Sequence, residues 1–235
     1  MKKEIVSELV GIVGEDWVVT DLSQMQSYLY DETELKIRPR ACEDCVVVKP
    51  ATAEEVSSIA KTANRHLVPI VPRGGGTGLC GAAIPTVPSI VLSLERLNRI
   101  VEFDSKNLMI TVEAGVTLEG LLEEMKKHDK LFFPVHPGDE GAQIGGMVAE
   151  NAGGVRAVKH GIMRNHVRGL KVVFPTGELV NLGGKMIKNN MGYDLLHMMI
   201  GSEGTLGIIT EVTLKLYAKN PYVRSEERRV GKECR

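Results

Sequence analysis

The sequence predicts an α+β protein in two lobes, a small mixed βαβ lobe followed by a larger, mostly antiparallel sheet with flanking helices. Three observations predict it. A strand, helix, strand pattern occupies residues 46–71, longer alternating apolar runs begin after residue 99, and glycines gather where strands end.

The elements follow in order. Residues 2–13 carry apolar positions at helical spacing, and a second short helix is expected over 22–29. Val46, Val47 and Val48 form an apolar run that reads as a strand. Thr52 followed by Glu54 and Glu55 is a helix start, with Val56, Ile59, Ala60 and Ala63 continuing it at helical spacing. Residues 67–71 read as the next strand, which implies a parallel pair joined by a right-handed crossover. A third strand is expected over 89–94. Beyond about residue 99 come strands at 100–103, 109–114, 170–174, 179–182 and 207–216, with helices over 118–127 and 145–151. In the last strand Ile209, Val212, Leu214 and Leu216 give a mostly alternating face, as in an antiparallel sheet. A lobe boundary is placed near residue 98, dividing 1–98 from 99–218. The remainder, 219–235, is a tail whose residues from 224 onward have no apolar periodicity and look like non-native sequence.

Composition narrows the function. The chain has 235 residues, 43% hydrophobic and 25% charged, with a formal net charge of −1. A near-neutral chain with only 4% aromatic residues and no basic-aromatic interleaving is not expected to bind nucleic acid. No apolar run approaches the ~20 residues of a membrane span, and the amphipathic N-terminus is not a secretion signal, so the cytoplasm is the expected location. Cys42 and Cys45 form a CxxC, but zinc would need a second ligand pair at matching spacing. They read as small, partly buried thiols. The six histidines show no paired ligand spacing, so no metal is expected. His66 and His128 fall at helix ends, where a cation is favoured.

Glycine is the informative residue: 25 are present, above the usual ~7%. Directly after the 67–71 strand comes Pro72-Arg73-Gly74-Gly75-Gly76-Thr77-Gly78. Glycines here let successive backbone N–H groups converge on an anion, so the segment reads as a phosphate cradle, with Arg73 and the Thr77 hydroxyl as further donors. Gly76, Gly78 and Gly81 also satisfy GxGxxG, yet Pro85 and Pro88 fall where the required helix would run, so the match is accidental. Gly184-Lys185 lacks the rest of a Walker A motif. The second cluster spans 134–154 and contains a helix lined by Ala and Gly. Its small residues suit a flat ligand, and a start at Gly145 and Gly146 is expected to offer N–H groups to an anion. Asp139 reads as a turn residue and Glu140 as solvated. The third cluster spans 201–207 and leads into the last strand.

Three glycine segments suit a long ligand with a central diphosphate. PRGGGTG, PGDEGAQIGGMVAENAGG and GYDLLHMMIGSEGTLGIIT, in this order, resemble the PCMH-type FAD-binding domain of the vanillyl-alcohol-oxidase flavoproteins. The likeness covers about residues 20–218 and is strongest to bacterial glycolate oxidase FAD subunits and D-lactate dehydrogenases. It implies two lobes with FAD extended between them. The pyrophosphate would sit on Gly74, Gly75, Gly76, Thr77 and Gly78, flanked by Arg73 and Leu79. Pro137, Gly138, Asp139, Ala142, Gly145, Gly146, Asn151 and Gly153 would line the flavin and ribityl side. Glu203, Gly207 and Ile209 would line the nucleotide side. Dissociable, non-covalent FAD is expected. His136 and His160 adjoin these motifs, with packing the expected role.

By the same likeness, the substrate is a small 2-hydroxy acid such as D-lactate or glycolate. The base and the carboxylate-binding groups would belong to a C-terminal substrate domain missing from this chain, so no catalytic residue is assigned and the chain alone is expected to be inactive. Two alternatives remain open. One is a flavin-carrying subunit passing electrons to an electron-transfer flavoprotein or an iron-sulfur subunit. The other is an NADPH-dependent enolpyruvyl reductase of the same fold.

Overall fold

The computed structural model describes residues 2–128 and 130–219. The expected non-native stretch from residue 224 lies outside the described residues.

Helix α1 (Lys3–Val13) buries Ile5, Leu9 and Val13, spaced four apart so that they share one face, and packs against α3 (Ala53–His66). A 3₁₀ turn (Glu15–Trp17) leads to β1 (Val18–Val19). Helix α2 (Leu22–Met25) is capped by Asp21 and tightens into a 3₁₀ turn (Gln26–Tyr28), so the helix expected over 22–29 is split. Strand β2 (Val46–Val48) follows. In α3 (Ala53–His66) the Thr52 hydroxyl accepts the Glu55 N–H at 3.1 Å, and Leu67, at φ 53°, closes the C-terminus. Strands β3 (Ile70–Arg73) and β4 (Ile90–Ser93) complete a four-stranded sheet ordered β1-β2-β4-β3.

The expected direct pairing of β2 with β3 is corrected here. Both run parallel to β4, which lies between them. All four residues of β4 are buried, which a central strand permits, whereas β3 is only half-buried and contains Pro72. Proline has no N–H for a ladder and therefore favours an edge.

The second sheet opens with β5 (Ile100–Asp104) and β6 (Met109–Glu113). Between them and its remaining strands lie α4 (Leu118–Lys126), capped by Thr117, then β7 (Leu131–Phe132), α5 (Ile144–Ala149) and α6 (Ala157–His160). A 3₁₀ turn (Met163–Asn165) precedes β8 (Val167–Val173) and β9 (Leu179–Gly183); α7 (Leu195–Met199), β10 (Ile208–Lys215) and β11 (Tyr217–Ala218) finish the chain. The sheet order is β5-β6-β10-β8-β9 with every pair antiparallel, and β11 pairs with β7. At its centre the hydroxyls of Thr111 and Thr213 meet across β6 and β10 at 3.0 Å.

One apolar interior joins the two sheets. Val46 and Val48 of β2 and Ile90 and Leu92 of β4 belong to the same buried cluster as Ile110, Val112, Val172 and Val212 of the second sheet. Val47 and Val91 point the other way, into a smaller cluster with Met25, Leu29 and Cys45. That is the period-two alternation of strands, and it places Cys45 in a core, its thiol near the Cys42 carbonyl at 3.2 Å.

Candidate cofactor-binding site

The three glycine segments meet at the carboxyl end of β3. Residues 74–78 leave that strand as an irregular loop, with no helix where the GxGxxG motif would need one. The first segment touches the second where Gly75 passes beneath the Gly141 carbonyl, too close for any side chain. The third touches the first where Gly204, at φ 72°, packs on the Pro72 ring. The third also caps the second: the N–H groups of Gly201 and Glu203 donate to the carbonyls of Val148 and Ala149 at 3.1 and 2.9 Å, satisfying the end of α5.

Between them lies a cleft of about 440 Å³, within the usual range of small-molecule sites. Of the residues expected at the cofactor, it is lined by Arg73, Gly74, Gly75, Gly76, Thr77, Gly78, Leu79, Pro137, Gly138, Asp139, Ala142, Gly145, Gly146, Glu203, Gly207 and Ile209. Asn151 and Gly153 do not line this cleft, although their neighbours Glu150 and Ala152 do. Asn151, at φ 53°, turns the chain out of α5, and its side-chain oxygen accepts the Arg164 N–H at 3.0 Å. Gly153 faces Ile162. Both residues anchor the 162–164 turn.

Two expected donors are used differently. Arg73 is buried with its guanidinium packed under Gly76 of the loop, and there it donates to the carbonyls of Tyr30 and Ser27 at 2.9 and 2.8 Å. Of Gly145 and Gly146 at the start of α5, the Gly145 N–H donates to the Ala114 carbonyl, as that of Ile144 does to Val116, at 2.8 Å each. Gly145 lies against β6 so closely that a Cβ would stand 2.6 Å from that of Ala114. Packing of the helix on the sheet end thus takes up the Gly145 N–H.

The residues nevertheless fit a diphosphate-bearing ligand. Among the described residues, none of the N–H groups of residues 74–78 donates to a protein acceptor, and such groups require partners. Gly138 and Gly146 line the cleft with nothing within 4 Å of where a side chain would begin, so a flat group can lie against the main chain there. Asp139 holds its turn by accepting the Gly141 N–H at 2.7 Å, and Glu140 is exposed beside His136, 3.1 Å away.

Further residues line the cleft: Asp31 and Glu32 lie outside the three glycine segments, and Gln143, Glu150 and Gly204 lie within them without having been singled out. Glu150 is held above its ordinary carboxyl pKa, chiefly by partial desolvation and further by the charges of Glu203 and Asp31. The histidines are peripheral. His66 pairs with Glu8 at 2.8 Å, His128 stacks on Phe103 with centroids 3.6 Å apart, and His160 packs edge-on against Phe132 and Tyr217.

Comparison with known proteins agrees with this geometry. The profile of the FAD-binding domain family matches residues 45–183. A D-lactate dehydrogenase of Archaeoglobus fulgidus is 51% identical over 191 residues, covering 81% of this chain and 43% of that protein. A glycolate oxidase subunit of Bacillus subtilis is 38% identical over 219 residues, covering 92% and 45%. Among solved structures, an alkyldihydroxyacetonephosphate synthase superposes with a TM-score of 0.79 at 26% identity, covering 93% of this chain and 41% of that one. The chain thus spans less than half the length of these relatives. With a loop of free backbone donors inside the matched region, the chain belongs to the FAD-binding domain family, and FAD is its cofactor.

Proposed function

We propose that this chain is the cofactor-holding part of a flavin-dependent dehydrogenase that oxidises a small 2-hydroxy acid of the D-lactate or glycolate type. Its two lobes, 1–98 and 99–218, would face the cofactor from either side. The observation that carries the reading is the row of unpartnered N–H groups at residues 74–78, in a loop that lines a cleft shared by all three glycine segments. Each bond from such a donor to a charged oxygen contributes about 1.5–3 kcal/mol, so a few of them retain a diphosphate without a lysine. Gly138 and Gly146 leave room for a planar ring, and Leu79 and Ile209 add apolar walls that keep water from it.

Bound FAD supplies a two-electron acceptor for the carbon-bound hydrogen of the acid. Retention is non-covalent in this reading. The names of the relatives, D-lactate dehydrogenase and glycolate oxidase subunit, support the substrate class. The groups that bind the acid's carboxylate and take its hydroxyl proton are assigned to a further domain of the whole protein. That one relative is named a subunit favours a partner, an electron-transfer flavoprotein or an iron-sulfur protein. Among the described residues no helix is long and apolar enough to cross a membrane, which fits work in the cytoplasm.

The test has two steps. The chain is purified and denatured, and the released cofactor is chromatographed against FAD and FMN; absence of FAD would refute the reading. The full-length protein is then assayed with D-lactate, L-lactate and glycolate and a dye acceptor, and turnover of none of them would refute the substrate class.

A further inference from the structure

Asp31 lines the cleft although nothing in the sequence marks it. The residue is 7% exposed. One carboxylate oxygen, Oδ1, accepts the Thr33 N–H at 3.0 Å, which fixes the orientation of the group. The other, Oδ2, is buried and has no hydrogen-bond partner. A buried carboxylate oxygen without a donor is costly, and such an atom calls for an explanation. Arg73 lies near enough to feel the charge but makes no ion pair with it, since its donors go to Tyr30 and Ser27.

The position of Oδ2 narrows the missing donor. It stands 3.8 Å from where a Cβ on Gly78 would be, at the far end of the glycine loop, and the Glu32 N–H ties the two segments by donating to the Gly78 carbonyl at 3.0 Å. An ionised carboxylate only accepts hydrogen bonds. Diphosphate oxygens are acceptors and anionic, so they cannot complete it. The donors of FAD next to its diphosphate are sugar hydroxyls, those of the ribityl chain on one side and of the adenosine ribose on the other; the ring N–H and amino groups lie at the remote ends.

We infer that Asp31 Oδ2 accepts a hydrogen bond from a sugar hydroxyl of the bound dinucleotide immediately beside the diphosphate. This rests on the assignment of the cleft to FAD. The loop N–H groups then hold the phosphates and Asp31 fixes how far the ligand slides along them, which makes it a residue that sets cofactor register and selectivity.

The test is titration calorimetry of the flavin-stripped chain and its Asp31→Asn and Asp31→Ala variants with FAD, ADP and FMN. ADP keeps the ribose hydroxyls and FMN the ribityl ones. Hydrogen bonds to charged groups predict that Asp31→Ala weakens FAD about tenfold or more, with a smaller loss for Asp31→Asn, which keeps an acceptor and the turn to Thr33. The loss should recur in one truncated ligand and not the other, naming the sugar. Unchanged affinity in both variants overturns the inference, as does tighter binding in Asp31→Asn, which would mean that the carboxylate only repels phosphate. Equal losses in both truncated ligands overturn it too, since they signal a general disturbance of the cleft. Thermal melts of the ligand-free variants identify any that fail to fold, and Asp31→Asn then decides. If the unaltered chain binds no FAD, the cofactor assignment itself has failed, a result distinct from any of these.

Discussion

The carbonyl oxygen of Gly141 stands 2.6 Å from the place that a Cβ on Gly75 would occupy. Both partners of that approach are main chain, so neither can swing aside. The contact joins two segments 66 positions apart and sets how far the cradle opens.

Cofactor retention and folding can therefore be separated by the choice of glycine. Gly75→Ala forces the loop off Gly141 and is expected to lower both melting temperature and FAD content. Gly146→Leu has open space where its side chain begins, so the ligand-free protein should melt within a few degrees of the unaltered one. The leucine fills the cleft, and FAD content after purification should drop at least tenfold. Full FAD retention in Gly146→Leu would show that the cofactor does not lie against α5.

Arg73 is expected to act on the scaffold. Replacing it by Met leaves the Tyr30 and Ser27 carbonyls without their donors, which predicts a loss of about 3 kcal/mol in urea unfolding. Lysine should recover less than half, because a single ammonium cannot reproduce the fork that reaches two carbonyls. Equal stability of the Lys variant and the unaltered chain would contradict the geometry.

His166 gives the fold an acid limit. It is wholly buried, with neither ring nitrogen in a hydrogen bond of normal geometry. Burial first, then the charges of Arg168, His160 and Lys215, push its pKa down to about 4. In the unfolded chain an imidazole titrates near 6.5. Between these values the unfolded state binds a proton that the folded state refuses, so stability should fall as pH drops from about 6.5 towards 4. Above about 6.5 this residue contributes no slope. His166→Phe, in a pocket already lined by Phe133 and Tyr217, should flatten that part of the profile; an identical slope in the variant would assign the effect elsewhere.

Thr52→Ala serves as a control remote from the cleft. Loss of the cap on α3 should cost about 1 kcal/mol, while FAD affinity measured by fluorescence quenching stays the same.

What the sequence disclosed follows the range of each interaction. Helices α1 and α3 were readable because their apolar faces and the Thr52 cap are local signals. The glycine segments were readable because a bare backbone over several consecutive positions is itself the signal. The insertion of β4 between β2 and β3 was not, since strand order depends on which strand tolerates burial on both sides, and Pro72 only hinted at an edge. The two-residue strands β1, β7 and β11 are too short to show a period. Within the site, Asp31 escaped notice because its role comes from a chain crossing 47 positions before Gly78. The bonds of Arg73 to the carbonyls of Ser27 and Tyr30 are long-range contacts that no motif announces. Asn151 and Gly153 sit inside a glycine-rich run whose second half serves the 162–164 turn.

The shared apolar interior has a consequence for how occupancy is felt. Ile5 and Leu9 of the first helix belong to the same cluster as Val172 and Val212 of the central antiparallel strands. With no seam along which one half could melt alone, denaturation should be a single cooperative event. Flavin docked in the cleft would then slow amide hydrogen exchange even at Leu9, although that residue touches no part of it.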